Sequence, residues 1–117
     1  MSTSRERAAG KMAVFLVPSL KLKQRGTDGR TVEENLHRFL LDTFGGYTAA
    51  AGNIFGYWKD ENGRESYGEH KEYKVGLSGD NRLDTLKQHI ARLAGDIGEE
   101  CIYFEYGKEA LFIYAAK

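Results

Sequence analysis

The chain has 117 residues, of which 41% are hydrophobic and 29% are charged, and this is the size and composition of one soluble globular domain. Its 17 basic and 17 acidic residues cancel to a formal net charge of zero, which argues against the overall positive field of a dedicated nucleic-acid binder. One cysteine excludes an intramolecular disulfide, and no Cys/His cluster has metal-ligand spacing, so we expect neither a metal nor a cofactor.

The N-terminal sequence predicts a lead-in segment followed by a strand. Residues 1–11 are small and charged without an apolar period, and they predict a flexible segment ahead of a single domain over residues 12–117. The apolar run over residues 12–22 predicts the first strand. This run is too short to span a bilayer and lacks a signal-peptide cleavage site, so we expect a cytoplasmic protein without membrane contact.

A cationic loop and a helix follow this strand. Gly26 and Asp28-Gly29 are turn signals. Thr31 and Glu34 then form a T-x-x-E capping box, which predicts that a helix begins there. The apolar positions of this helix share one face, and Gly45-Gly46 predicts its end because glycine readily adopts the left-handed conformation of a helix terminus.

Two segments rich in aromatic residues and glycine predict a β-hairpin around Asn62-Gly63. Asn-Gly is the strongest short signal for a two-residue hairpin turn. With that turn, Trp58 faces Tyr67 and Phe55 faces His70, and cross-strand partners share a face of the sheet. The residues predicted to share one face are Phe55, Tyr57, His70 and Glu72. A bulge at Gly52, Gly56 or Gly68 would move part of this set to the other face.

The C-terminal sequence predicts a second helix and a second hairpin. Apolar residues recur at spacings of three and four along one stripe, at Leu83, Leu86, Ile90, Leu93 and Ile97. Asp80 or Asn81 is predicted to cap this helix, and Gly98 to end it. Residues 100–106 and 109–115 then predict a hairpin with apolar side chains on both faces.

The order strand, helix, strand, strand, helix, strand, with one further strand at the end, predicts an α+β domain of the ferredoxin-like, split βαβ type. In this plait an antiparallel sheet carries both helices on one face, so its other face meets water or a partner. A monomer rarely exposes a large apolar patch, so we predict a homo-oligomer, either a dimer or a trimer, with a ligand pocket as the alternative use of this face. The aromatic residues predicted at the interface are Phe55, Tyr57, Tyr103, Phe112 and Tyr114.

Three side chains of the predicted hairpin have the chemistry of an acid–base site. Histidine is the side chain whose ordinary pKa lies nearest neutrality, and Glu72 lies two residues beyond His70 on the same predicted face. Tyr57 is a predicted diagonal neighbour of His70 across the hairpin. These three are candidate catalytic residues, and a solvated strand surface with interstrand ion pairs is the alternative.

A second candidate site lies in the cationic loop before the first helix. Lys21, Lys23, Arg25 and Arg30 lead directly into Thr31, the predicted cap residue. Backbone N–H groups at the start of a helix attract anions, and nearby cations add to that attraction. These five residues predict a site for a phosphate or a nucleotide, and a solvated flexible loop is the alternative.

The motif Trp58-x-Asp60-x-x-Gly63, followed by Glu69 and Lys71 on the returning strand, resembles a family of small bacterial ferredoxin-like domains of unknown function. The resemblance extends over residues 12–78 and includes the Phe-Gly-Gly-Tyr-Thr segment that precedes the hairpin. The architecture also resembles PII-type and CutA-type trimeric proteins, without a signature motif of either. These resemblances imply a ferredoxin-like fold, and they imply no activity, catalytic residue or cofactor.

These features favour a small homo-oligomeric binding or regulatory module, not an enzyme, that recognises an anionic small molecule or a protein partner. The second hypothesis is a cofactor-free enzyme that uses His70, with Glu72 and Tyr57, for acid–base chemistry in a pocket lined by the sheet. A third is a protein inhibitor encoded by a mobile element. RNA binding is disfavoured because the first and third strands lack the aromatic signatures of an RNA-recognition motif.

Overall fold

The computed structural model describes residues 4–116, with the backbone alone described at residues 51–53. Within these residues the chain forms two α-helices, five β-strands and one short 3-10 helix at Lys21–Lys23. The helices are α1 (Val32–Phe44) and α2 (Asp80–Asp96). The strands are β1 (Lys11–Pro18), β2 (Thr48–Lys59), β3 (Glu65–Leu77), β4 (Cys101–Tyr106) and β5 (Glu109–Tyr114).

The strands form one antiparallel sheet in the order β2-β3-β1-β4-β5. This confirms the prediction of a mixed α+β domain with an antiparallel sheet and two helices. The prediction that the first strand runs to residue 22 is wrong, because β1 ends at Pro18 and Lys21–Lys23 form a 3-10 helix. Because β1 pairs with both β3 and β4, its inward-facing residues occupy the middle of the core.

Phe15 lies at the centre of the core. It is the direct cross-strand partner of both Tyr73 and Phe104. The three rings stack, with centroid distances of 5.2 Å from Phe15 to Tyr73 and 6.4 Å from Phe15 to Phe104. Buried residues of both α-helices belong to the same core, namely Leu36 and Leu40 of α1 and Leu86 and Ile90 of α2. The helices therefore pack on the sheet face that carries these three rings.

The ends of the helices follow local chemistry. Thr31 caps α1, and its hydroxyl accepts a hydrogen bond from the Glu34 N–H at 3.1 Å, as the capping box predicts. Gly45 ends α1 with a φ of 82°. The N-cap of α2 is Gly79, not Asp80 or Asn81 as predicted. Asp80 lies in the first turn, where its negative charge interacts favourably with the helix dipole. Among the residues described, no helix combines the length and the apolar character needed to cross a membrane.

The β2–β3 hairpin differs from the prediction by one residue of register. Tyr57 pairs with Tyr67 and Trp58 pairs with Ser66, whereas the predicted two-residue turn places Trp58 opposite Tyr67. The predicted pairing is therefore wrong. The difference lies in the turn, because every pair from Lys59–Glu65 back to Ile54–His70 keeps the same register.

Asp60 causes this shift of register. Its Oδ1 accepts hydrogen bonds from the backbone N–H groups of Asn62 at 2.9 Å and Arg64 at 2.8 Å. Its own N–H donates to the Arg64 carbonyl oxygen at 2.9 Å. The loop between Asp60 and Arg64 therefore has three residues, and Gly63 occupies its last position with a φ of 79°. The aspartate side chain closes the turn and outweighs the Asn-Gly signal.

The shift exchanges the two faces of the hairpin, because side chains alternate along a strand. Phe55 and Tyr57 lie on the face of Glu69, and Trp58 lies on the face of His70. The predicted placement of Phe55 and Tyr57 on one face with His70 is therefore wrong.

Candidate functional site

The three predicted catalytic residues do not all lie on one face of the sheet. His70 is only 6% exposed, and its Nδ1–H donates to the Gly68 carbonyl oxygen at 2.8 Å. Glu72 shares the face of His70, and its Oε1 lies 3.5 Å from the Lys74 Nζ. Tyr57 lies on the opposite face. The structure thus brings His70 and Glu72 onto one face and does not bring Tyr57 to them.

The predicted aromatic interface residues fall into two groups. Tyr103 pairs with Phe112 across β4 and β5, and their ring centroids are 5.9 Å apart. Tyr114 lies on the same face, which is the face away from the helices. Phe55 and Tyr57 lie on the other face of the sheet, for the register reason given above. The prediction that all five residues form one patch is therefore wrong.

The predicted anion-binding loop makes most of its contacts within the protein. Lys21 donates from Nζ to the Ile97 carbonyl oxygen at 2.8 Å. Arg25 donates to the Gly29 carbonyl oxygen at 2.6 Å, and the Thr31 hydroxyl is used as the cap of α1. The exposed residues of the group include Lys23 and Arg30. Hydrogen bonds to carbonyl oxygens thus hold two of the four cations.

A carboxylate in the same loop also disfavours an anion there. Asp28 Oδ1 accepts a hydrogen bond from the Arg30 N–H at 2.9 Å, and Oδ2 accepts one from the Asn35 side-chain amide at 3.2 Å. The hydrogen bond from the Arg30 backbone holds the pKa of Asp28 below its ordinary value, so the carboxylate stays charged. A fixed negative charge at the start of α1 repels a second anion.

The exchanged register creates a different group of side chains on the projecting end of the β2–β3 hairpin. We call it the hairpin face, and it consists of Phe55, Tyr57, Tyr67 and Glu69. The Tyr57 and Tyr67 rings stack with centroids 5.8 Å apart and planes within 17°. Phe55 lies directly opposite Glu69. The three aromatic residues are 53% (Phe55), 72% (Tyr57) and 77% (Tyr67) exposed, so the hairpin face is open to a ligand or a partner.

The sequence patterns did not predict the hairpin face, because the predicted register puts Phe55 and Tyr57 on one face of the sheet and Tyr67 and Glu69 on the other. Asp60 is the signal that identifies it, since an aspartate two residues before Asn62 closes a three-residue turn through its side chain. With that turn, Tyr57 pairs with Tyr67, and Phe55 pairs with Glu69.

The hairpin face presents two stacked tyrosine rings, Tyr57 and Tyr67, and one carboxylate, Glu69, that could together bind a cation. Electron-rich ring faces attract cations. The carboxylate of Glu69 lies on the same face as the stacked pair of Tyr57 and Tyr67. The hairpin face is therefore suited chemically to a ligand that combines a positive charge with a planar ring.

No protein-family model matches the chain, and no curated protein matches its sequence at the significance level applied. Two solved structures share its fold. A phage SAM lyase in complex with S-methyl-5'-thioadenosine superposes with a TM-score of 0.59 at 14% sequence identity, covering 98% of this chain and 97% of that chain. A phage SAM lyase in its apo state superposes with a TM-score of 0.63 at 14% identity, covering 99% of this chain and 98% of that chain. This chain is thus similar in fold, along its whole length, to a phage SAM lyase.

Proposed function

We propose that the protein is an enzyme that cleaves S-adenosylmethionine (SAM) and releases S-methyl-5'-thioadenosine. The observation that carries this proposal is the fold match with phage SAM lyase, which covers nearly all of both chains. The match therefore compares nearly the whole of both chains and not a shared fragment. This favours the enzyme hypothesis over the binding or regulatory module.

The chemistry of the substrate suits the hairpin face. SAM carries a sulfonium cation and an adenine ring. Adenine stacks on aromatic side chains, and the stacked pair of Tyr57 and Tyr67 offers an exposed ring surface. The Glu69 carboxylate, on the same face, complements the positive charge of the sulfonium. We therefore place SAM on the hairpin face.

The proposed reaction breaks the bond between the sulfonium sulfur and the γ-carbon of the aminobutyryl chain. The sulfur keeps the electron pair and leaves as the neutral thioether of S-methyl-5'-thioadenosine. A lyase adds no water, so an oxygen of the substrate's own carboxylate supplies the new electron pair. It forms a C–O bond to the γ-carbon as the C–S bond breaks, which closes a five-membered lactone and releases no proton. Holding the four-carbon chain in a reactive geometry is then the main task of the protein.

Glu69 is assigned a role in binding by this scheme. The charge on sulfur disappears as the bond breaks, so a carboxylate near it stabilises the bound substrate more than the transition state. Removal of that charge is expected to raise KM with a smaller effect on kcat. Tyr67 is expected to act in the same way through stacking on the adenine ring.

The experiment incubates the purified protein with SAM and follows S-methyl-5'-thioadenosine by chromatography. Glu69→Gln is expected to raise KM about tenfold, the size of one lost charge-assisted contact. Glu72→Gln is the matched control, because it removes a carboxylate from the same strand on the opposite face. Its KM is expected to change by less than about twofold.

The outcomes separate the hypotheses. A wild-type protein that releases no S-methyl-5'-thioadenosine contradicts the proposed function. Saturable binding of S-methyl-5'-thioadenosine without turnover supports the binding module instead. Loss of activity in His70→Gln and Glu72→Gln, with Glu69→Gln unaffected, supports the acid–base site on the other face.

We also propose that the protein self-associates and that its fold is a ferredoxin-like plait extended by β5 beside β4. Large exposed side chains on the sheet face away from the helices support self-association, among them Phe112 and Tyr114. A second copy of this chain is the partner that removes them from water. Sedimentation velocity over a wide range of concentrations tests this, and a monomer at every concentration contradicts it.

A further inference from the structure

A cleft of about 580 Å³ lies at the end of the molecule where β2 begins, away from the hairpin turn. Its apolar surface includes Met12, Phe44 and Tyr47. Its lining also includes three cations, Arg7, Lys74 and Arg82, and no aspartate or glutamate among the residues that the structure describes. In a chain with 17 basic and 17 acidic residues, this is a local concentration of positive charge. We propose that the cleft binds a nucleoside phosphate, as a site separate from the hairpin face.

Arg82 is held beside the apolar surface of the cleft. Its guanidinium carbon lies 5.9 Å from the centre of the Phe44 ring. One of its NH1 hydrogens donates to the Thr43 carbonyl oxygen. A guanidinium has five N–H donors, so this contact leaves donors for two oxygens of a phosphate. The ring and the carbonyl together orient Arg82 before a ligand arrives.

Lys74 forms an ion pair with Glu72, and losing this pair to a bound anion would cost little free energy. Its Nζ lies 3.5 Å from the Glu72 Oε1, and the side chain is exposed. Ion pairs of this length at the protein surface contribute little to stability. A phosphate dianion is a stronger partner for a lysine than a single carboxylate. Lys74 is therefore available to a ligand in the cleft.

The wall that carries Arg7 is held against the end of β3 by two close backbone approaches. Gly10 has a φ of 92°, and a Cβ added there would lie 1.9 Å from the Leu77 carbonyl oxygen. A Cβ added at Gly76 would lie 2.8 Å from the Ala9 carbonyl oxygen. The backbone at these positions has no room for a side chain, which is why glycine occurs at both. This packing brings Arg7 to the cleft.

The charge and the apolar surface define the ligand class. Three cations in the lining, against the one carboxylate that pairs with Lys74, favour a multiply charged anion and disfavour a cationic ligand such as SAM. The half-buried rings of Phe44 and Tyr47, which line the cleft, favour a planar group joined to that anion. A volume of about 580 Å³ is within the usual range for a small-molecule site. A nucleoside diphosphate has both the planar base and the multiple negative charges.

Isothermal titration calorimetry with ADP, adenosine and inorganic phosphate tests the proposal. ADP is expected to bind saturably, more tightly than either fragment and more weakly as salt is raised. Arg82→Gln is expected to weaken ADP binding about tenfold. Arg38→Gln is the control, because Arg38 is an exposed α1 arginine paired with Asp42 and lies outside the cleft.

Circular dichroism shows whether Arg82→Gln folds. If it does not, Lys74→Gln is the second variant, and it is also expected to weaken ADP binding. The absence of saturable ADP binding to the wild-type protein overturns the proposal, as does equal affinity for ADP in both cleft variants and the wild type. Equal affinity for ADP and inorganic phosphate overturns the role of the rings. Release of S-methyl-5'-thioadenosine from SAM is measured separately, so failure of this site and failure of the proposed enzyme activity are distinguishable.

Discussion

The indole ring of Trp58 meets the imidazole ring of His70 nearly at right angles, with 5.0 Å between the ring centroids. Both side chains lie on the face of the sheet that the helices do not cover. The indole also lies across Gly56, because a Cβ added to that glycine would fall 1.7 Å from the indole ring. His70 is a buried polar side chain for this reason, although it projects from a sheet face away from the core.

Gly56→Ala is expected to displace the indole from His70. The new methyl group and the ring cannot occupy the same space, and the ring is the part that can move. Trp58 is the single tryptophan of the chain, so its fluorescence reports the displacement directly. We expect emission at longer wavelength, as for an indole that becomes more exposed to water.

Gly68→Ala is the control for this experiment. Gly68 is the cross-strand partner of Gly56, but a Cβ there would lie 3.7 Å from the His70 ring, which is an ordinary contact. Its emission is expected to match that of the wild type. Identical spectra for Gly56→Ala and the wild type would show that the indole does not cover Gly56.

Phe15→Ala is expected to destabilise the protein by about 3–5 kcal/mol, the usual cost of removing a buried phenylalanine ring. Phe15 is fully buried and stacks between Tyr73 and Phe104 at the centre of the sheet. Urea denaturation measures the free energy of unfolding. Val14→Ala, on the opposite face of the same strand, is the control and is expected to cost less. A loss below about 1 kcal/mol for Phe15→Ala would contradict the placement of the ring at the centre of the core.

Lys71 joins the sheet to α1 through an ion pair with Glu33 that is shorter than the other ion pairs of the described residues. Its Nζ lies 2.8 Å from the Glu33 Oε2, and the lysine is half-buried. Lys71→Met is expected to lower the free energy of unfolding by about 1 kcal/mol. Lys59→Met is the control, because its pair with Glu65 is longer, at 3.7 Å, and exposed. Equal stability losses in the two variants would show that the α1 contact adds nothing.

His89 is expected to make stability depend on acid pH. It stacks on Phe39 with centroids 3.5 Å apart, and burial lowers its pKa to about 4. The nearby Arg92 lowers the pKa further, and Asp96 opposes this. The unfolded chain therefore binds a proton at higher pH than the folded protein does, so stability is lost as pH falls from about 6.5 toward 4.

His89→Phe keeps a ring against Phe39 and removes the titration. The contribution of one proton to the slope of unfolding free energy is at most about 1.4 kcal/mol per pH unit. Urea denaturation at several pH values between 4 and 6.5 is expected to show a shallower slope for the variant than for the wild type. Parallel slopes would contradict a role for His89 in acid destabilisation.

Local chemistry determined most of the secondary structure. The Thr31–Glu34 box and the left-handed Gly45 set the two ends of α1, and each depends on hydrogen bonds or dihedral angles within a few residues. The three- and four-residue apolar spacing of α2 likewise lies within one element, and its inward residues Leu86 and Ile90 are buried. Such signals can be read along the chain because their causes lie along the chain.

The two proposed sites have causes of different range. In the hairpin, one side chain, Asp60, lengthened the turn by a residue through hydrogen bonds that span at most four residues, and a single residue of register moves every following side chain to the other face. That cause lies in the sequence, next to the competing Asn-Gly signal. In the cleft, Arg7, Lys74 and Arg82 come from three separate segments that meet only when the chain has folded. Sequence patterns identify elements and turns because short-range forces form them, whereas the meeting of distant cations depends on packing between elements.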